Sequence, residues 1–118
     1  MKEICMACLF CQIAEGTQSA DIVYTDEHVI GFRDTNPQAP QHVLFIPRRH
    51  VSTINDFNKQ DADLIGSLIL AAQHYAKEQG FSEQGYRLVM NCNRMAGQTI
   101  YHVHLHLLAG RTMHWPPG

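Results

Sequence analysis

Residues 100–108 read Ile-Tyr-His-Val-His-Leu-His-Leu-Leu, with three imidazoles at alternate positions. Strand side chains alternate between faces, so this spacing predicts His102, His104 and His106 in a row about 7 Å apart, backed by Val103, Leu105 and Leu107. Histidine titrates near neutrality, at about 6.5 when unperturbed. Three kinds of chemistry fit the row: coordination of a metal, a grip on phosphate oxygens, or covalent catalysis in which one neutral ring attacks and a neighbour protonates the leaving group. The apolar opposite face pins the register and argues against a His-rich exposed strand with no task. A second constellation is Cys8-Leu9-Phe10-Cys11, half of a tetrahedral zinc site or a redox pair.

The elements that must hold these groups are legible from hydrophobic pattern and breakers. Residues 6–15 predict a short helix or turn that carries the cysteines and stops near Gly16. Ile22-Val23-Tyr24 and Val29-Ile30-Gly31-Phe32, separated by Asp26-Glu27-His28, form a hairpin signature. Two prolines fix a loop over Asn36–Pro40. His42-Val43-Leu44-Phe45-Ile46 then reads as a strand buried on both faces and central in a sheet. A long helix is predicted over 59–79, capped by Asn58 and stopped by Gly80. Ile65, Leu68, Ile69, Ala72 and Tyr75 form its apolar stripe. Leu64, Leu70 and Ala71 widen that stripe beyond what one sheet covers, which a subunit contact or a thick core would explain. Strands over Tyr86–Met90 and Tyr101–Leu108 complete an α+β fold, a five-stranded antiparallel sheet with one long helix and a short N-terminal helix.

Composition sets the limits. At 118 residues and 45% hydrophobic, the chain suits one domain, 1–118, with a real core. Nine Lys and Arg against 11 Asp and Glu exclude a protein held on nucleic acid by a basic face. No apolar run approaches a membrane span, and the first residues show no secretory signal. The expectation is a cytoplasmic protein, where cysteines serve as metal ligands or free thiols rather than disulfides. Cys5 reads as a spare thiol and Cys92 as a buried one. His28 and His74 read as solvated, and Arg48, Arg49 and Arg111 as a wet face that could steer an anion.

His102-Val103-His104-Leu105-His106-Leu107-Leu108 resembles the His-φ-His-φ-His-φ-φ signature of the histidine triad (HIT) superfamily. Asp34-Thr35-Asn36-Pro37-Gln38-Ala39-Pro40-Gln41-His42, Ile46-Pro47-Arg48-Arg49-His50 and Gly97-Gln98-Thr99 match further segments of that pattern. The closing His114-Trp115-Pro116-Pro117-Gly118 is similar to the Hint branch, the histidine triad nucleotide-binding proteins. The resemblance covers nearly the whole chain.

It implies a homodimer whose sheets join, and hydrolysis of purine nucleoside 5′-phosphoramidates such as AMP amides. His104 would attack the α-phosphorus, His106 would contact phosphate and help protonate the amine, and His42 would complete the polar wall. Asn91, Gln98 and Thr99 would bind phosphate oxygens or the scissile side, and Asp34 the ribose. Leu9, Phe10, Ile13 and Phe32 would form the nucleobase slot. Cys8, Cys11, His50 and His102 would hold one structural zinc per subunit, with no catalytic metal required. The tail, with His114 and Trp115, would approach the partner's active site. Three positions depart from the branch: Thr99 replaces a usual Ser, Asn93 a common Gly, and Thr35 an aliphatic pocket residue. The alternatives are a diadenosine polyphosphate hydrolase, a nucleotide-binding interaction module with little turnover, and a metal-dependent hydrolase using the His row as ligands.

Overall fold

Alternation of side chains along the central strands divides the molecule into two packed layers, one on each face of a sheet. A computed structural model describes residues 8–118. Helix α1 spans Leu9–Glu15, followed by strands β1 (Ile22–Thr25), β2 (Val29–Arg33) and β3 (Gln41–Pro47), helix α2 (Ala62–Gln79), and strands β4 (Arg87–Val89) and β5 (Leu105–Ala109). The five strands are antiparallel in the order β1-β2-β3-β5-β4. β3 is central, as its unbroken apolar run requires, and His42 through Pro47 are all buried.

Val29, Val43, Phe45, Leu105, Leu107 and Ala109 point to one face and pack with Leu68, Ala71, Ala72, Tyr75 and Ala76 of α2. Ile30, Phe32, Leu44 and Ile46 point to the other, against Phe10, Ile13 and Ala14 of α1. The site therefore lies between the sheet and α1, and α2 backs it from behind. Gly31 faces α2, where a Cβ would come within 2.8 Å of the buried Phe45 ring. No helix of the described residues is long and apolar enough to cross a membrane.

Several elements begin later than their patterns predict. Asn58 caps a 3-10 turn over Lys59–Asp61, and α2 begins at Ala62. Gly80 ends it in the left-handed conformation, with Phe81 N–H returning to Ala76 O. In α1, Cys8 is the N-cap and Cys11 N–H points at its sulfur, while Met6, Ala7 and Cys5 fall outside the described residues. On α2 the expected stripe is narrower, since Ile69 and Leu70 are exposed. Cys92 is half-buried rather than buried.

The larger difference is in the last strand, which forms over Leu105–Ala109, so His102 and His104 precede it. The ladder with β3 ends at the Phe45–Leu105 pair. Pro47, two residues on, has no N–H to continue it, and its carbonyl accepts from the His102 ring instead.

Candidate active site

His104 is aimed by its own backbone. Its Nδ1 lies 2.8 Å from the carbonyl oxygen of His102. A carbonyl only accepts, so Nδ1 carries the hydrogen and Nε2 keeps a bare lone pair. The Phe10 ring stands edge-on against the imidazole, centroids 5.2 Å apart at 88°, and holds its plane. The His106 ring lies beside it at 5.0 Å.

The same donor logic fixes the other two rings. His42 Nδ1 accepts from the backbone N–H of Gln38 at 3.0 Å. An amide only donates, so the His42 hydrogen sits on Nε2 and is donated to His106 Nδ1 at 2.9 Å. Asp34 Oδ2 lies 3.5 Å from the same nitrogen. His106 must then carry its own hydrogen on Nε2. Burial first, and then the rings of His104 and His42, together lower the His106 pKa to about 4 against the opposing Asp34 carboxylate. Burial also lowers His42 against the opposing Asp34 carboxylate. Both rings are neutral at pH 7, and the site pairs a bare nitrogen on His104 with an N–H donor on His106.

His104 and His106 open onto a cavity of about 590 Å³ between α1 and the sheet. Leu9, Phe10, Ile13, Phe32, Leu44 and Ile100 give it an apolar lining; Asp34, Thr35, Thr99, His104 and His106 are polar members, and Gln18, Ser19, Asp21 and Arg33 also line it. That combination of a flat apolar slot and a few converging polar groups suits a heteroaromatic ring joined to a charged group.

A second cluster lies apart from the cavity rings. Cys8, Cys11, His50 and His102 each present one ligand atom, all within 4.8 Å of one another. His102 Nε2–H donates to Pro47 O at 2.8 Å, which leaves Nδ1 bare and 3.5 Å from Cys8 Sγ and 3.6 Å from Cys11 Sγ. His50 Nδ1 lies 3.2 Å from Cys11 Sγ, and its Nε2 meets Ser52 Oγ at 3.0 Å. A tetrahedral zinc ion with ordinary bond lengths separates S and N ligands by about 3.5 Å, so the spacing fits. Burial lowers the His102 pKa to about 4 and keeps it neutral, as a ligand must be.

Asp34, His42 and His106 also lie within 4.8 Å of one another. A cation on His42 Nε2 would force the ring hydrogen onto Nδ1, against the Gln38 N–H. The donor pattern of that trio suits a proton network better than a cation.

The HIT domain family model matches residues 15–113. The chain belongs to the histidine triad (HIT) family. Purine nucleoside phosphoramidase from Escherichia coli K12 is 44% identical over 105 residues, covering 89% of this chain and 88% of that protein. The crystal structure of a HIT family hydrolase from Legionella pneumophila superposes with a TM-score of 0.92 at 51% identity, covering 94% of this chain and 99% of that one. A zinc-bound histidine triad family protein from Mycobacterium smegmatis gives 0.77 at 30% identity, over 90% of this chain and 76% of that one.

Within this HIT fold the anticipated residues divide. Leu9, Phe10, Ile13, Phe32, Asp34, Thr99, His104 and His106 come together at the cavity, and His42 stands behind His106. His102 leaves the triad row for the cysteine cluster. Gln98 departs from the phosphate role expected of it, for its side chain is committed to the backbone. Its Nε2 donates to Ser52 O and Ile100 O, and its Oε1 accepts from Asn93 N–H. Asn91 is half-buried and outside the cavity lining.

Among the tail residues, the His114 carbonyl accepts from Arg87 and Trp115 is 82% exposed. Arg48 donates from Nε to the Asp26 carbonyl and keeps its charge unpaired by a carboxylate in this contact, while Arg49 pairs with the Asp61 carboxylate. His28 and His74 are exposed, as expected. Sequence reasoning missed Leu44, Ile100 and Arg33, and also Gln18, Ser19, Ala20 and Asp21 in the loop after α1. Leu44 shares the His42 face at a spacing of two and was within reach of the strand pattern. The loop carries no such signal.

Proposed function

We propose that this HIT-family hydrolase cleaves the P–N bond of purine nucleoside 5′-phosphoramidates through a nucleotidyl-histidine on His104. The observation that carries the reading is the bare His104 Nε2, its other nitrogen tied to a main-chain carbonyl, facing a cavity beside the His106 N–H. The activity named for the Escherichia coli relative supports the same substrate class. Leu9, Phe10, Ile13 and Phe32 would clasp the base, Asp34 the ribose hydroxyls, and Thr99 the phosphoryl oxygens; Asn91, outside the cavity lining, is left without that role.

In the first step the His104 Nε2 lone pair bonds to phosphorus while the P–N bond breaks onto the amine. The departing amine takes one proton from solvent water held by the His106 Nε2–H, and the attacking water of the second step returns one proton to solvent, so the proton count closes over the cycle. Water then attacks phosphorus, releasing the nucleoside monophosphate and restoring His104. Dividing one displacement into two lowers each barrier, and fixed donors offset charge on the phosphoryl oxygens.

Cys8, Cys11, His50 and His102 would hold a structural zinc ion, which when bound neutralises the thiolates and ties α1 to the segment before β5. No step of the chemistry passes through it. Free thiols and such a cluster suit a cytoplasmic protein. The homodimer would join two sheets through an edge strand, bringing His114 and Trp115 near the partner's cavity.

The test is His104→Ala with an adenosine 5′-phosphoramidate. Turnover should vanish, AMP should still bind, and rapid quench of the native enzyme in alkaline detergent, where a phosphorus–imidazole bond survives, should trap a nucleotide on the protein that the variant lacks. Hydrolysis at the native rate by the variant sinks the mechanism.

A further inference from the structure

The hydrogen on His106 is placed by a chain of contacts that starts outside the cavity. Arg111, in the segment after β5, donates from both Nε and Nη2 to the Gln38 carbonyl, each at 3.1 Å. One residue earlier, Gly110 has φ +94° and no side chain, and a Cβ there would sit 2.8 Å from Pro40 Cβ. Pro40 therefore packs directly on Gly110 while Arg111 grips Gln38, and the 36–40 loop is docked at two points on the end of β5. The docked loop presents the Gln38 N–H to His42 Nδ1 at 3.0 Å. His42 Nε2–H then meets His106 Nδ1 at 2.9 Å.

The Asp34 carboxylate, 3.5 Å from His42 Nε2, also favours a hydrogen on that nitrogen. Only the Gln38 amide, however, excludes one from Nδ1. Released from Arg111, the loop would withdraw that exclusion. His42 could then take its hydrogen on Nδ1 and offer a bare Nε2, and His106 would turn its own hydrogen inward, away from the substrate.

We propose that Arg111 is a positioning residue for His106, acting through the Gln38 peptide and the His42 ring to keep the His106 hydrogen on Nε2, facing the cavity. The proposal rests on the reading that His106 serves the bound substrate, and deepens it. Arg111 touches no substrate, and a merely structural role would leave imidazole hydrogens where they are.

The experiment uses the full chain with Arg111→Ala and Arg111→Lys, both checked for native melting. Two-bond 1H–15N spectra of the imidazoles report which ring nitrogen is protonated. The native protein should show His42 and His106 as Nε2–H tautomers, and Arg111→Ala should move a substantial fraction of His42 to Nδ1–H. On an AMP amide, kcat should fall about tenfold, part of the roughly 10²–10⁴ that a positioned proton donor supplies, with KM changed less than twofold. Arg111→Lys, which keeps the charge but not the fork, should fall between, and carries the test if the alanine variant does not fold.

Unchanged His42 spectra in the folded variants overturn the relay, as does a redistributed hydrogen with native kcat. The underlying reading fails separately: native turnover by His106→Ala removes the role of His106, whatever the spectra of the Arg111 variants show.

Discussion

His106 takes up a second proton in the folded chain only near pH 4, against about 6.5 for a free imidazole. Between those values the unfolded chain binds more protons than the folded one, so stability falls as pH drops from about 6.5 toward 4. Urea unfolding midpoints should decline across that window, and His106→Gln, which cannot titrate, should flatten the decline. Equal slopes in the two proteins would contradict the assignment. The cysteine cluster yields a second expectation: metal analysis should find one zinc per chain, lost in Cys11→Ser together with several degrees of melting temperature. A full metal content in that variant would exclude the site. At this scale the sequence was readable wherever chemistry resides in residue type, as for the triad and the CxxC. Gln98 was not readable so, because its partner Ser52 lies 46 positions away and their meeting is a property of the folded chain.

Among the elements, the 3-10 turn at Arg94–Ala96 is entered through Asn93, at φ 68° and ψ −175°. Glycine alone takes that region easily, and other residues pay about 1–3 kcal/mol to occupy it. The Asn93 side chain makes no capping bond, and its N–H goes to Gln98 Oε1. Asn93→Gly should therefore raise stability by about 1 kcal/mol in denaturant melts; an unchanged or lower midpoint would show that the strain is relieved elsewhere. Gly31→Ala should act in the opposite sense, since Phe45 has no free volume to retreat into. The hairpin, the central strand and the end of α2 could be inferred because their signals are local: alternation, an apolar run, a terminal glycine. The start of β5 could not. Residues 101–104 alternate as regularly as 105–108, and what separates them is the neighbouring Pro47, which offers no ladder donor.

Across the described residues, the sheet is covered on both faces and ends in β1 and β4 with no further strand paired to either, and α2 leaves Ile69 and Leu70 uncovered at 48% and 59% exposure. A homodimer would bury such surface. Sedimentation at micromolar concentration should give twice the chain mass, and Leu70→Glu should shift it toward monomer with the fold intact; a native monomer would reject the dimer. The packing of the active rings has a consequence of another kind. Two of the atoms that orient them, the oxygen of residue 102 and the amide of residue 38, are parts of the main chain. Point mutation cannot erase a peptide group. A lineage could rewrite the pocket walls, trading one nucleotide for another, and still inherit these main-chain contacts, so long as position 38 never became proline and position 111 kept the arginine that grips it.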